Sequence, residues 1–150
     1  MNVRTTLRGW LPVVFWMAVL FVASTDLGGT KHTSRILVPL LRWLVPDISR
    51  AAVNEVQLAV RKTGHTAAYA LLAGLAWRAR RRMVDASQPW RVNDAVFALL
   101  VATLYAASDE WHQTFTATRQ GTLTDVALDV FGASLGLTAI WLWGRWRRRW

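Results

Sequence analysis

The sequence predicts an all-α integral membrane protein, a four-helix bundle with an interfacial, amphipathic helical segment between its first and second spans. Three observations carry that expectation. Hydrophobic residues make up 53% of the 150-residue chain and 10 of them are tryptophans, more apolar surface than a soluble domain of single-domain length can bury. Much of it is gathered into charge-free runs that approach the roughly 20 residues needed to cross a bilayer. The arginines stand in short clusters beside those runs instead of along one water-facing surface.

The first span is expected at about 9–25, where Gly9 to Thr25 carries no charge and follows the basic residues Arg4 and Arg8. A secretory signal has the same outline. Trp10, Pro12 and Trp16 are bulky for one, however, and no A-x-A-like cleavage site precedes Asp26. Asp26-Leu27-Gly28-Gly29 then reads as a turn. Ile36 to Val45 reads as a helix lying on or dipping into the membrane interface, since Pro39 and Arg42 interrupt it and it is too short to span. Asp47, after Pro46, reads as the N-cap of an amphipathic helix reaching about Lys62, with Ile48, Ala52, Val56, Ala59 and Val60 on its apolar side.

Span two is expected at 63–80. Lys62, His65 and Tyr69 fall on one helical stripe, and the uncharged run Thr63 to Trp77 is short, so the helix should extend backward and bring Lys62 and His65 to the membrane rim. Arg78, Arg80, Arg81, Arg82 and Arg91 form a basic loop. Span three, 92–113, must continue from its uncharged run Ala95 to Ser108 into Asp109, Glu110 and Gln113, with Asp109 and Gln113 on one face. Thr114 to Thr124 reads as a loop or short re-entrant turn containing Arg119 and Gly121. Span four, 124–143, carries Asp125 and the deeper Asp129 on one stripe, then Gly132 and Gly136 as a small-xxx-small pair for close helix packing. The tail from Arg145 to Trp150 alternates arginine and tryptophan as an interfacial anchor does.

Charge sets the orientation. With both termini and the 78–91 loop on one side, Arg4, Arg8, Arg78, Arg80, Arg81, Arg82, Arg91, Arg145, Arg147, Arg148 and Arg149 are opposed there only by Asp85 and Asp94, so the whole net charge of +9 falls on that side. The positive-inside rule makes it cytoplasmic. Juxtamembrane clusters of this kind set topology and attract anionic lipid, and nucleic acid is excluded as a partner. With 0 cysteines, disulfides and thiolate metal sites are also excluded.

Lys62, His65, Tyr69, Asp109, Glu110, His112, Gln113, Arg119, Asp125 and Asp129 then converge on the opposite, outward rim. Ionisable groups at membrane depth are costly unless paired or wet, which makes them functional candidates. In this order the residues resemble the VanZ-like family of small bacterial membrane proteins. Lys62-Thr63-Gly64-His65-Thr66-Ala67-Ala68-Tyr69 is similar to the family's K-x-x-H-x-x-x-Y. Ser108-Asp109-Glu110-Trp111-His112-Gln113-Thr114-Phe115, followed by Arg119, Asp125, Asp129 and Gly132, is similar to its D-E-x-x-Q-x-F…R…D-x-x-x-[ND]-x-x-G. The resemblance departs at Ala117-Thr118, where the family often has Pro-Gly, and at Asp129, where it often has Asn. It implies one VanZ-like domain over 1–150, the cytoplasmic (inner) membrane of a bacterium, a cell-envelope role, and a link to glycopeptide-antibiotic tolerance.

Three functional readings follow. In the first, Lys62, His65, Tyr69, Asp109, Glu110, Gln113, Arg119, Asp125 and Asp129 form a pocket for an envelope-lipid or peptidoglycan-related head group, with Lys62 and Arg119 on phosphate and the carboxylates on hydroxyls or amines. In the second, Asp109 or Glu110 acts as general base with His65 or His112 as partner, or two carboxylates and a histidine hold a divalent metal. No HEXXH, His-x-Glu or Gly-x-Ser-x-Gly motif accompanies them, so no metal or cofactor is expected. In the third, the polar groups only neutralise one another between helices, Lys62 with Asp109 or Glu110 and Arg119 with Asp125 or Asp129. Membrane lipids are partners in all three, and no residue pattern bears on oligomeric state.

Overall fold

The computed structural model describes residues 3–25, 30–83, 89–115 and 121–149. These form five helices, α1 (Val3–Ser24), α2 (Thr30–Leu44), α3 (Arg50–Met83), α4 (Val92–Gln113) and α5 (Leu123–Trp146), and no strand is present among the described residues. Among the described residues, three stretches are long and apolar enough to cross a membrane: Thr6–Ser24, Val92–Gln113 and Leu123–Trp146. The expected second span is not among them. It forms part of α3, whose 34 residues carry Glu55, Arg61 and Lys62 in the first half and Arg78, Arg80, Arg81 and Arg82 near the end, which lowers its hydropathy.

The segment between spans one and two differs from expectation. The amphipathic helix and span two are one uninterrupted helix, and its N-terminus is capped not by Asp47 but by Ser49, whose Oγ accepts a hydrogen bond from Ala52 N at 3.2 Å. Good helix formers run through the junction at Arg61 and Lys62, and nothing there breaks the backbone ladder. The same helix continues to Met83, so Arg78 to Arg82 are helical. The interfacial helix begins earlier than the apolar run suggests, at Thr30, and contains Pro39 without ending there. Gln57 of α3 donates to Ser34 Oγ across the α2–α3 contact at 3.1 Å. The turn expected at Asp26 to Gly29 lies outside the described residues.

α3 is the axis of the fold, with α1, α4 and α5 packed against it. Gly9 at the start of α1 lies on Ala79 near the end of α3, and Asp94 at the start of α4 meets Arg80 and Arg81. α1 and α4 therefore run antiparallel to α3. α5 runs parallel to it, because Gly132 sits on Thr66, Gly136 on Ala70, and Ile140 against Gly74. The bundle thus has two chemically different ends.

The interior is built from small residues. Ala73, Ala76, Ala79, Ala98, Ala102, Ala106 and Ala133 are all buried, with Val13, Tyr69 and Leu72 as the larger fillers. The large apolar side chains Leu11, Phe15, Leu100, Leu104, Phe131 and Leu142 are exposed instead. A water-soluble bundle sorts its residues the other way. Small residues inside and bulky apolar ones outside is the arrangement for helices that pack in lipid.

The close approach of α5 to α3 has no spare space. A Cβ on Gly132 would overlap the Thr66 carbonyl, and one on Gly136 would lie 2.6 Å from the Ala70 carbonyl oxygen. Gly132→Leu is therefore expected to lower the unfolding stability of the detergent-solubilised protein by more than the roughly 1–3 kcal/mol of ordinary overpacking, because the obstacle is backbone. Gly64→Ala, where an added Cβ meets nothing within 4 Å, should leave stability unchanged or raise it by about 0.5–1 kcal/mol.

Candidate functional site

The end of the bundle remote from the arginine-rich termini gathers the carboxylates. α4 runs as far as Gln113 and buries Asp109, Glu110 and Gln113 on its inner face, at 3%, 5% and 2% exposure. α5 starts at Leu123 behind an N-cap from Thr122, whose Oγ accepts from Asp125 N at 3.1 Å. The next turn places Asp129, 1% exposed, against α3 just above the contact of Gly132 with Thr66. His65 stands opposite it, Nδ1 to Asp129 Oδ2 at 3.8 Å.

Hydrogen bonds fix two of the carboxylates closely. Asp109 Oδ2 accepts from Ser24 Oγ at 2.6 Å and from Gln113 Nε2 at 3.3 Å. The same Gln113 amide donates to Glu110 Oε1 at 3.2 Å, while Glu110 Oε2 accepts from Thr122 N at 3.0 Å. That last contact explains Gly121. A Cβ there would overlap the Glu110 carbonyl, so only glycine lets the chain entering α5 pass close enough for Thr122 to reach Glu110. Asp129 is different, since neither of its oxygens has a hydrogen-bond partner among the described residues.

Arg61, Lys62, His65, Glu110, Gln113, Asp125, Leu128 and Asp129 line a narrow cleft whose open volume is about 10 Å³. That is room for one water or ion. Arg61 pairs with Asp125 at 3.9 Å near its mouth, a partly exposed contact of small energetic weight. Tyr69 lies one turn deeper on α3, fully buried, in a ring contact with His65 at 6.5 Å. It supports the cleft and does not line it. His112 is on another face of α4, its ring 4.7 Å from Phe21.

The candidate residues Lys62, His65, Glu110, Gln113, Asp125 and Asp129 thus come to one cleft, with Asp109 beside Glu110 and Gln113. Of the ion pairs of the third reading, that of Lys62 with Asp109 or Glu110 does not form, since no lysine or arginine among the described residues lies within 4.0 Å of Asp109, Glu110 or Asp129. Asp125 pairs with Arg61, and the pairing expected for Arg119 lies outside the described residues. Sequence reasoning missed Ser24, Thr122 and Arg61. Ser24 had a signal, as a hydroxyl at the end of an otherwise apolar helix. The contact of Thr122 with Glu110 had none, because it is made through the backbone N–H while the side chain caps α5.

A family model described as VanZ/LLP1 matches residues 9–144. No curated protein and no solved structure shows a significant match to the chain.

The Ser24 bond ties α1 to this end of the bundle. Ser24→Ala should cost about 1–3 kcal/mol in detergent unfolding, the penalty for depriving a buried carboxylate of a donor. In an Asp109→Ala background the same change should cost close to nothing, and a double-mutant cycle reads the difference.

Proposed function

The chain belongs to the VanZ/LLP1 family, and from that premise we propose a four-span protein of the bacterial cytoplasmic membrane, termini inside, whose outward cleft binds the head group of an envelope lipid or peptidoglycan-related precursor. The observation that carries this reading is the cleft itself, in which Arg61, Lys62, His65, Glu110, Gln113, Asp125 and Asp129 converge from three helices. Lys62 has no ionic partner among the described residues, so a cation at the mouth is available to phosphate. The interior holds only one water or ion, so the head group rests at the mouth, on Arg61 and Lys62, with carboxylates behind them.

The fourth span in this proposal is the second half of α3. Its apolar stretch lies level with those of its neighbours, since Thr66 and Ala70 meet Gly132 and Gly136, and Ala79 meets Gly9. Small alanine-rich helices surrounded by protein have less need of leucine than helices facing lipid. The orientation follows from the arginines at the opposite end. There Asp94, 2% exposed, is held by Arg80 at 3.5 Å and Arg81 at 3.7 Å, while Arg147 lies 4.7 Å from the Trp143 ring centre.

Two measurements test the proposal. Because the chain has no cysteine, single Asp47→Cys and Pro89→Cys variants report topology directly. Asp47→Cys should react with a membrane-impermeant maleimide in intact spheroplasts and Pro89→Cys only after lysis, and labelling of both from one side would remove the α3 span. For the head group, native mass spectrometry of the detergent-purified protein with a polyprenyl monophosphate should show Arg61→Ala and Lys62→Ala each weakening binding about tenfold, since a charge-assisted hydrogen bond contributes about 1.5–3 kcal/mol. Equal retention of phosphatidylcholine, or no loss in either variant, would count against it.

A further inference from the structure

We propose that His65, Glu110 and Asp129 form a binding site for one divalent first-row transition-metal cation, with zinc the best match to their chemistry. One comes from each of α3, α4 and α5, and one donor atom from each lies within 4.8 Å of the other two. The independent observation is Asp129. Its carboxylate is 1% exposed, neither oxygen has a hydrogen-bond partner among the described residues, and it faces His65 Nδ1 across 3.8 Å.

That separation is too long for a hydrogen bond. It does suit two ligands of one ion, since bond lengths of about 2.0–2.2 Å put paired donors between about 3.3 Å apart in a tetrahedral shell and about 4.2 Å when opposed. The donor atoms all lie within 4.8 Å of one another, and drawing them into a tetrahedral shell takes side-chain rotations that close the longest gap by about 1 Å or more. Two carboxylates and a neutral imidazole carry the charge that cancels a divalent ion, where no lysine or arginine among the described residues reaches either acid within 4.0 Å. Glu110 already has the outer contacts of a positioned ligand, Gln113 Nε2 on one oxygen and Thr122 N on the other. Each of those oxygens keeps a lone pair for the ion. The cleft that these three residues line has about 10 Å³ of open volume in all, space for one ion, and water completes the coordination from the mouth. An imidazole nitrogen in the set favours zinc over magnesium or calcium.

The inference stands apart from head-group binding and is tested on the full chain, tag removed, stripped with chelator in detergent. Isothermal titration with zinc chloride alone should give one equivalent bound per chain and a melting temperature raised by several degrees, since an ion that binds only the folded state stabilises it. His65→Ala and Asp129→Asn should each weaken zinc binding at least tenfold and abolish that rise. Asp129→Asn preserves shape, and unchanged helicity and apo melting temperature separate loss of a ligand from loss of fold. His112→Ala should bind as the parent does. Absence of stoichiometric zinc binding, unchanged binding in both ligand variants, or equal affinity for magnesium would overturn the assignment. So would an Arg119→Ala variant that alone creates the site, since the arginine would then be the native counter-charge.

Discussion

The close approach of α5 to α3 is the constraint on which the rest of the structure depends. Gly132 and Gly136 present no side chain to Thr66 and Ala70, so the two backbones meet. Because the helices run parallel there, one turn toward the N-terminus of α5 puts Asp129 opposite His65, and another puts Asp125 opposite Arg61. A helix pair held apart by leucine-sized residues would separate these groups by several ångströms, and the cleft would open to solvent or lipid. The packing that stabilises the bundle also sets the depth and dryness of the site.

The two ends solve the same electrostatic problem differently. At the arginine-rich end Asp94 is buried but flanked by two guanidiniums, and Arg81 also donates to the Pro89 carbonyl at 2.9 Å. A buried ion pair with its hydrogen bonds supplied can persist as a structural element. At the other end Asp109 and Glu110 are held by neutral donors from Ser24, Gln113 and Thr122, and Asp129 faces only a histidine among the described residues. Neutral donors orient a carboxylate without cancelling its charge. The arginine-rich end thus pairs its buried acid with cations, whereas the other end holds its acids on neutral donors below Arg61 and Lys62.

Much of this was legible in the sequence, and the reasons divide by scale. Helical periodicity and small-residue spacing depend on local order, so the stripes holding His65, Asp109 with Gln113, Asp125 with Asp129, and Gly132 with Gly136 all survive into the structure. Charge patches separated the two ends because topology signals are themselves sequence-local. What could not be read was continuity and partnership. The change from amphipathic to apolar pattern near Lys62 looks like a boundary, yet hydrogen bonding along α3 passes through it. Which cation meets Asp125 is a question of helix rotation, and neighbouring Arg61 and Lys62 are about 100° apart on the helix, so spacing alone could not choose between them. A backbone donor such as Thr122 N is invisible to any reading based on residue type.

Central position and a weak membrane signal go together in α3. Hydropathy measures what a helix would gain by facing lipid, and α1, α4 and α5 take most of that boundary, with Phe15, Leu104 and Phe131 exposed on them. α3 instead supplies Ala73, Ala76 and Ala79 to the interior and His65 to the cleft. Its charged ends extend past the apolar stretch on both sides. A greasier sequence in its first half would read more readily as a span and would lose the contacts that make the cleft, because Arg61, Lys62 and His65, which lower its hydropathy together with Arg78 to Arg82, line the cleft. In this fold a poor membrane signal on the best-packed helix is where the functional polar groups are to be sought.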